Sequence, residues 1–585
     1  MRLMPRCPDG RKPVMKAAVV RKFDFWQREA HAMQRVVQIA ATAAALSVLM
    51  PAGVSAQSSD IVCQPLACEG SAPRKLTDAD KPKFQDPFFR LVLSRRPSVR
   101  KLTEIETQIL GAQGAKRRVF VVDEEIQSTK RPASRRSVVD FVGRNNGIAL
   151  GSKLFLSFFF SSDAVPDSPD VEVLAWDDVN GTYNYYKLRE IELPKDSPSA
   201  PTVRDRVWVA EATSRNIDAI TPSQRSGTCL ACHANGVPVM KELLFPWNNW
   251  HGQPSPIAYL SETGAPDQRW PVRSDSHFQD LTQAQDFERS VQIAINLAIQ
   301  RRFEQQVVKQ ADVKLTVANA RLTLRPLFET TEINLISAGA GQFSRMHPLT
   351  GTPMDGPSAP IQIPNSFFLQ SKVLAACGID AEDFKTLARI KPADYKALIE
   401  NSGVKITTQA LGTVAGDTNF AWFTPEQAFV DTAWITKLVN ENVVTKAFAA
   451  AAAAADLETP ILSAERAKLL QFVPASFIVT PGEAHPDALT RAVIAAIDAA
   501  APPAGSVAAQ FRDTLKAPDP VEVVRDRVKA YKERIAGLLG DAAPAAARTA
   551  EQQRLYNLLL DRRRAFASHP LFGNLVESGA LLPLP

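Results

Sequence analysis

The chain has 585 residues, 45% hydrophobic and 22% charged, with 68 Lys+Arg against 62 Asp+Glu. That length exceeds one core and suits about three or four domains, and the composition favours ordered structure over low-complexity disorder. Nine of the basic and three of the acidic residues lie in positions 1–56, which leaves 59 of each sign, so nothing in the balance asks for nucleic acid.

The first element is a leader. From Met33 the chain reads MQRVVQIAATAAALSVLMPAGVSAQSSD, with Arg35 as the positive start and an apolar run from Val36 to Met50. Val54-Ser55-Ala56 has the small-residue pattern of a cleavage site. The run is short for a membrane span. Residues 1–56 are read as a leader with a secretion signal, Met33 being an alternative start. The mature chain is expected to be periplasmic or otherwise exported, without a transmembrane segment.

Residues 57–114 are read as an extended tail followed by one or two helices at 86–112. Residues 115–260 are read as β-rich and mostly antiparallel. RRVFVV (117–122), SKLFLSFFF (152–160), VEVLAW (171–176), TYNYYKL (182–188) and VWVAEA (207–212) are β-branched and aromatic runs separated by turn residues. Asn180-Gly181 signals a two-residue hairpin. The basic stretch at 116–136 is read as a solvated loop, with a docking patch for an acidic electron partner as the alternative.

Residues 261–365 are read as helical segments, FERSVQIAINLAIQRRFEQQVVKQ and VKLTVANARLTLRPLFETTEINL, and a Pro/Gly loop. Residues 366–585 are read as an all-helical domain. TPEQ (424–427) is taken as a capping box and SAER (463–466) as an N-cap. The alanine run 449–455 is taken as a solvated helix. The fold class is thus α+β, a mostly antiparallel region followed by a large helical one. Asp177-Asp178 and Asp123-Glu124-Glu125 are read as turn or edge-strand charges rather than acid–base pairs.

Cys63 and Cys68 flank QPLA and suit a small disulfide loop in an oxidising compartment, and Cys377 suits a buried small hydrophobe. Cys229, Leu230, Ala231, Cys232 and His233 spell C-x-x-C-H, a haem c attachment signature. Two thiols at this spacing add to the two vinyl groups of one porphyrin, and the adjacent histidine reaches the iron from the same side. A redox dithiol would follow a strand in a βαβ unit, and a structural zinc site would need two further ligands. A disulfide or redox thiol remains the rival reading.

The segment resembles the attachment site of c-type cytochromes. The resemblance covers five residues and implies one covalent haem c, with thioethers at Cys229 and Cys232 and His233 as proximal iron ligand. The strands before the motif depart from the compact all-helical class I cytochromes. VEVLAWDDVNGTYNYYKL, VWVAEA and then C-x-x-C-H are more similar to β-sheet c-haem proteins of nitrogen-oxide and hydroxylamine chemistry. In some members of that group a lysine is cross-linked to the haem. Lys187 is the nearest strand lysine here, but no catalytic residue is carried over.

The sixth iron position decides the chemistry. His251, ending PWNNWH, and Met354, in TGTPMDGP, are the first candidate distal ligands, with His347 behind them. Trp247 and Trp250 are read as walls of the porphyrin pocket, with Asn248 and Asn249 bonding the loop or the propionates. Met240 is read as a core methionine, and His485 and His569 as surface or capping residues. These readings imply an exported monohaem cytochrome that passes electrons to a redox partner protein. The alternatives are a haem oxidoreductase acting on peroxide or a nitrogen species at an open iron, and a haem-stabilised structural or sensing module.

Overall fold

The computed structural model describes residues 61–569 apart from 113, 125–133, 161–166, 196, 198, 239–275, 280–281, 283, 311–313, 337–359, 382–383, 409–411, 416–421 and 423. The leader, PWNNWH, Met240, His347 and Met354 lie outside the described residues.

The five β-branched and aromatic runs all become strands of one eight-stranded sheet. Its order is Arg74–Lys75, Val62–Cys63, Arg204–Thr213, Thr182–Glu192, Val171–Asp177, Leu154–Phe160, Ser134–Val142 and Lys116–Glu124. Every pairing is antiparallel except that of Val62–Cys63 with Arg204–Thr213.

Side-chain alternation along Thr182–Glu192 gives the sheet two working faces. Asn184, Tyr186 and Leu188 point to one, Tyr183, Tyr185 and Lys187 to the other. The first face buries Phe84, Phe88, Leu91 and Val92 of the N-terminal segment, with Phe88 edge-on to Trp208 at 4.9 Å. The second packs on the Ala284–Gln306 helix through Phe120, Phe155 and Phe287. Tyr183 donates from its hydroxyl to the Ala294 carbonyl at 2.8 Å, so that helix is pinned to the sheet as well as packed on it. Burying each such large apolar side chain contributes roughly 1.5–3 kcal/mol.

Strands and helices are both present, so the fold is a mixed α+β one. Several expectations are corrected. Residues 57–85 are not merely a tail, since Val62–Cys63 and Arg74–Lys75 form one side of the sheet and Cys63 is bonded to Cys68. The basic stretch 116–136 is not a loop throughout. Lys116–Glu124 pairs with Ser134–Val142, and Arg136 lies 4.4 Å over the Phe159 ring. The Asn180-Gly181 turn is longer than two residues, because pairing closes at Asp177 and Thr182. Asp177 accepts from the Val179 and Asn180 amides, a turn role as read.

Residues 366–585 are not all helical. TPEQ does not cap a helix. It is the strand Thr424–Gln427, antiparallel to Ile333–Ile336, and the helix starts later, at Phe429–Asn440. Leu315–Val317 and Phe477–Val479 pair as strands where a helix and an all-helical region were expected. Ser463 does cap Ala464–Lys468. Ala449 to Ala455 are buried rather than solvated, because methyl side chains let the Lys446–Ala454 helix pack closely on the Pro520–Leu539 helix. Cys377 is buried as read. Among the described residues no helix is long and apolar enough to cross a membrane.

Candidate functional site

The last sheet strand, Arg204–Thr213, delivers the C-x-x-C-H segment. A capping box between Thr221 and Gln224 starts the short Pro222–Arg225 helix, and Gly227, at φ +74°, turns the chain. Thr228 then caps a 3₁₀ turn, Cys229–Ala231, by accepting from the Leu230 amide at 3.2 Å. The Cys232 and His233 amides both donate to the Cys229 carbonyl, at 3.3 and 3.0 Å. The five residues therefore make one helical turn. Positions three and four apart share a side of such a turn, which puts Cys229, Cys232 and His233 together. All three are half-buried, while Leu230, Ala234 and Val237 anchor the turn in the core.

Two devices hold the turn. Arg225 donates to the carbonyls of Ile217 (2.9 Å), Ile220 (3.0 Å) and Ala234, tying the residues before the motif to those after it. Gly236, at φ +66°, comes so near the sheet end that an added Cβ would lie 2.6 Å from Ser214 Cβ.

His233 Nδ1 lies 2.9 Å from the Val237 carbonyl oxygen. A carbonyl only accepts, so Nδ1 carries the proton and the lone pair of the neutral ring is on Nε2. That is the tautomer a metal-ligating imidazole adopts when its other ring nitrogen donates to a backbone carbonyl. Cys229 and Cys232 are not bonded to each other. Burial pushes the Cys229 thiol well above its ordinary range despite Lys187 nearby.

The turn faces a charged part of the second sheet face. The Tyr185 ring lies 5.3 Å from the His233 ring, and burial raises its phenol well above the usual value. Beside it Lys187 pairs with Glu172 across the strands at 3.0 Å, and Arg189 with Glu211 at 3.0 Å. Burial pushes the Glu172 carboxyl up, but Arg136 and Lys187 together outweigh it and hold it below its ordinary value. Burial works against the Lys187 ammonium, yet Glu172 and its neighbours raise it. Glu211 is raised by burial.

On its other side the turn meets the helices. Asn235 Nδ2 donates to Thr331 Oγ1 at 3.2 Å. A cavity of about 490 Å³ lies there, lined by Trp176, Ser214, Asn235, Val237 and Arg302 among others.

The structure thus brings Cys229, Cys232 and His233 onto one side of one turn. Trp247, Trp250, His251 and Met354 fall outside the described residues. His277 is buried against Glu106 at 2.9 Å, beside Arg117. Sequence reasoning missed Tyr185, Glu172, Arg136 and Arg189, although the alternation of TYNYYKL with its partner strands carried the signal. It also missed Arg225, Asn235 and Thr331, which no local pattern marks. Among the described residues no cluster of three or more His, Cys, Asp or Glu side chains could hold a bare metal ion. Comparisons with protein-family models, with curated proteins and with solved structures find no match.

Proposed function

We propose that this chain is an exported monohaem c-type cytochrome that carries one electron to or from a partner protein. The observation that carries this reading is the Cys229–His233 turn, with the His233 ring held by the Val237 carbonyl in a ligating tautomer. The residues present fit the group. Cys229 and Cys232 would bear the thioethers and His233 would be the proximal ligand. Arg136, Lys187 and Arg189, balanced by Glu172 and Glu211, would line the side of the site on the sheet. Bound there, the haem would supply a one-electron ferric/ferrous couple. The chain would hold the imidazole, limit water through the buried Leu230 and Val237, and set the local field through the charged pairs on the sheet. In this reading the sheet ahead of the motif presents the turn and the mainly helical remainder is the body that meets the partner.

The test is covalent haem staining on a denaturing gel after expression with an export signal. Cys229→Ala with Cys232→Ala should abolish it. Stain that persisted in the double variant would defeat the reading.

A second reading, an oxidoreductase acting on peroxide or a nitrogen species, is favoured by the titratable groups beside the turn: Tyr185, Glu172, Lys187 and Glu211. Such groups suit chemistry in which protons move with electrons. A ferrous spectrum that changes on adding CO selects this second reading, and an unchanged low-spin spectrum selects the carrier.

A further inference from the structure

Asn235 lies inside the turn that closes on His233. The Gly236 amide donates to the His233 carbonyl at 2.8 Å, and the Val237 carbonyl holds Nδ1. Asn235 Nδ2 leaves this turn to reach Thr331 Oγ1. The Thr331 hydroxyl, accepting from Asn235, spends its own proton on Asp431. Asp431 also accepts from the Thr331 amide at 2.9 Å and from the Glu332 amide at 3.3 Å. It sits in the first turn of the Phe429–Asn440 helix and is 2% exposed. One continuous chain of donors thus runs from the turn that holds the His233 ring to a buried carboxyl in the helical body.

We propose that Asp431, acting through Thr331 and Asn235, is a positioning residue that couples proton uptake in the helical body to the hold on the His233 ring. An ionised Asp431 accepts three hydrogen bonds with charge assistance and fixes Thr331 as the acceptor for Asn235. A protonated Asp431 binds that hydroxyl less strongly, and the turn loosens. Burial first, and Glu332 next to it, push the Asp431 carboxyl up to about 7 against the bonds from Thr331, so both states are populated near neutrality.

The charged groups around it are few. Glu332 is adjacent, and Arg225 acts on it as well as on Asp218 and Arg325. Arg325 is paired with Glu329 at 2.6 Å. From the packed Ala284–Gln306 helix, Arg302 lies 4.8 Å over the Trp434 ring. From Ser371–Ala376, Lys372 is paired with Glu426 at 3.3 Å. On its own helix Lys437 is paired with Glu441 at 2.7 Å. None of these cations neutralises Asp431 directly among the described residues.

The inference rests on the cytochrome reading only where a reduction potential is involved, and the test separates the two. The full chain is prepared as wild type, Asp431→Asn, Thr331→Val and Thr331→Ser, and stained for covalent haem. Absence of haem from the wild type defeats the cytochrome reading and leaves the second arm to decide this one. That arm is hydrogen–deuterium exchange of the peptide spanning 229–237. At pH 8 exchange should be several-fold faster in Asp431→Asn and Thr331→Val than in wild type, and restored in Thr331→Ser. At pH 5 the wild type and Asp431→Asn should match. Equal rates in all four proteins at pH 8 overturn the proposal. With haem attached, the midpoint potential of the wild type should step between pH 6 and 8, and Asp431→Asn and Thr331→Val should flatten that step. A step that both variants retain overturns it too.

Discussion

His233 is held by Val237, four residues further along the same turn, with Nδ1 donating to the carbonyl at 2.9 Å. The acceptor is backbone, so the side chain at 237 can change without removing it. What can fail is the path of the turn. That path depends on Arg225, on the left-handed Gly236 and on the anchor at Asn235.

Arg225 is the most direct test of that dependence. Its guanidinium serves three carbonyls, and burial lowers its affinity for a proton without removing the charge. Arg225→Ala leaves those carbonyls without their donor and should cost about 1–3 kcal/mol of stability. Arg225→Lys should recover little, because an ammonium has no planar fork. Urea unfolding measures both. Under the cytochrome reading, haem per folded molecule should also fall in Arg225→Ala. A variant as stable as the wild type would show that the turn is held elsewhere.

The buried acids set a pH dependence of a definite sign. Asp431 and Asp86 are pushed up to about 7 and about 6, chiefly by burial. Between the unfolded carboxyl range near 4 and those values, the folded chain holds its protons more tightly than the unfolded chain does. Stability contributed by these two groups is therefore full below about pH 4 and is lost as pH rises towards 7. For Asp431 the loss is on the order of 4 kcal/mol at most. Asp431→Asn should flatten the fall in melting temperature between pH 5 and 8. A melting temperature that rose through that window in wild type, with the same slope in the variant, would contradict this.

Much of the sheet was legible because period-two alternation of aromatic and β-branched residues leaves few other structures. The Ser134–Val142 strand was not, because its first half, SRRS, reads as solvated. In the strand, Arg136 pairs with Phe159 on the neighbouring strand and lies over its ring. TPEQ carries a real local preference for a helix start, which pairing with Ile333–Ile336 overrides. The alanine run has no side-chain signal to separate a close-packed helix from an exposed one. At the site, the C-x-x-C-H pattern itself was legible as five adjacent residues. Their supports are remote, since Asn235 meets Thr331 at 96 positions' separation and Thr331 meets Asp431 at 100. No periodicity reports contacts of that kind.

The charged pairs beside His233 make a prediction whose sign a loss of stability does not imitate. Lys187 and Glu172 are paired at 3.0 Å, and Arg136 also acts on Glu172. Under the cytochrome reading, the ferric state carries one more positive charge than the ferrous state at the ligand held by His233. Lys187→Met removes a nearby cation, eases the ferric state and should lower the midpoint potential. Glu172→Gln removes a nearby anion and should raise it. A tenfold change in a one-electron equilibrium is about 59 mV. At the effective dielectric of a partly exposed site, each shift should be on the order of 20–60 mV. Both would shrink as salt is added, because half-buried charges are partly screened. Spectroelectrochemical titration reads both values. Shifts of the same sign in the two variants, or none in either, would place the redox centre away from this face of the sheet. Opposite shifts would place it beside the Tyr185–His233 contact, where the Cys229–His233 turn meets the sheet.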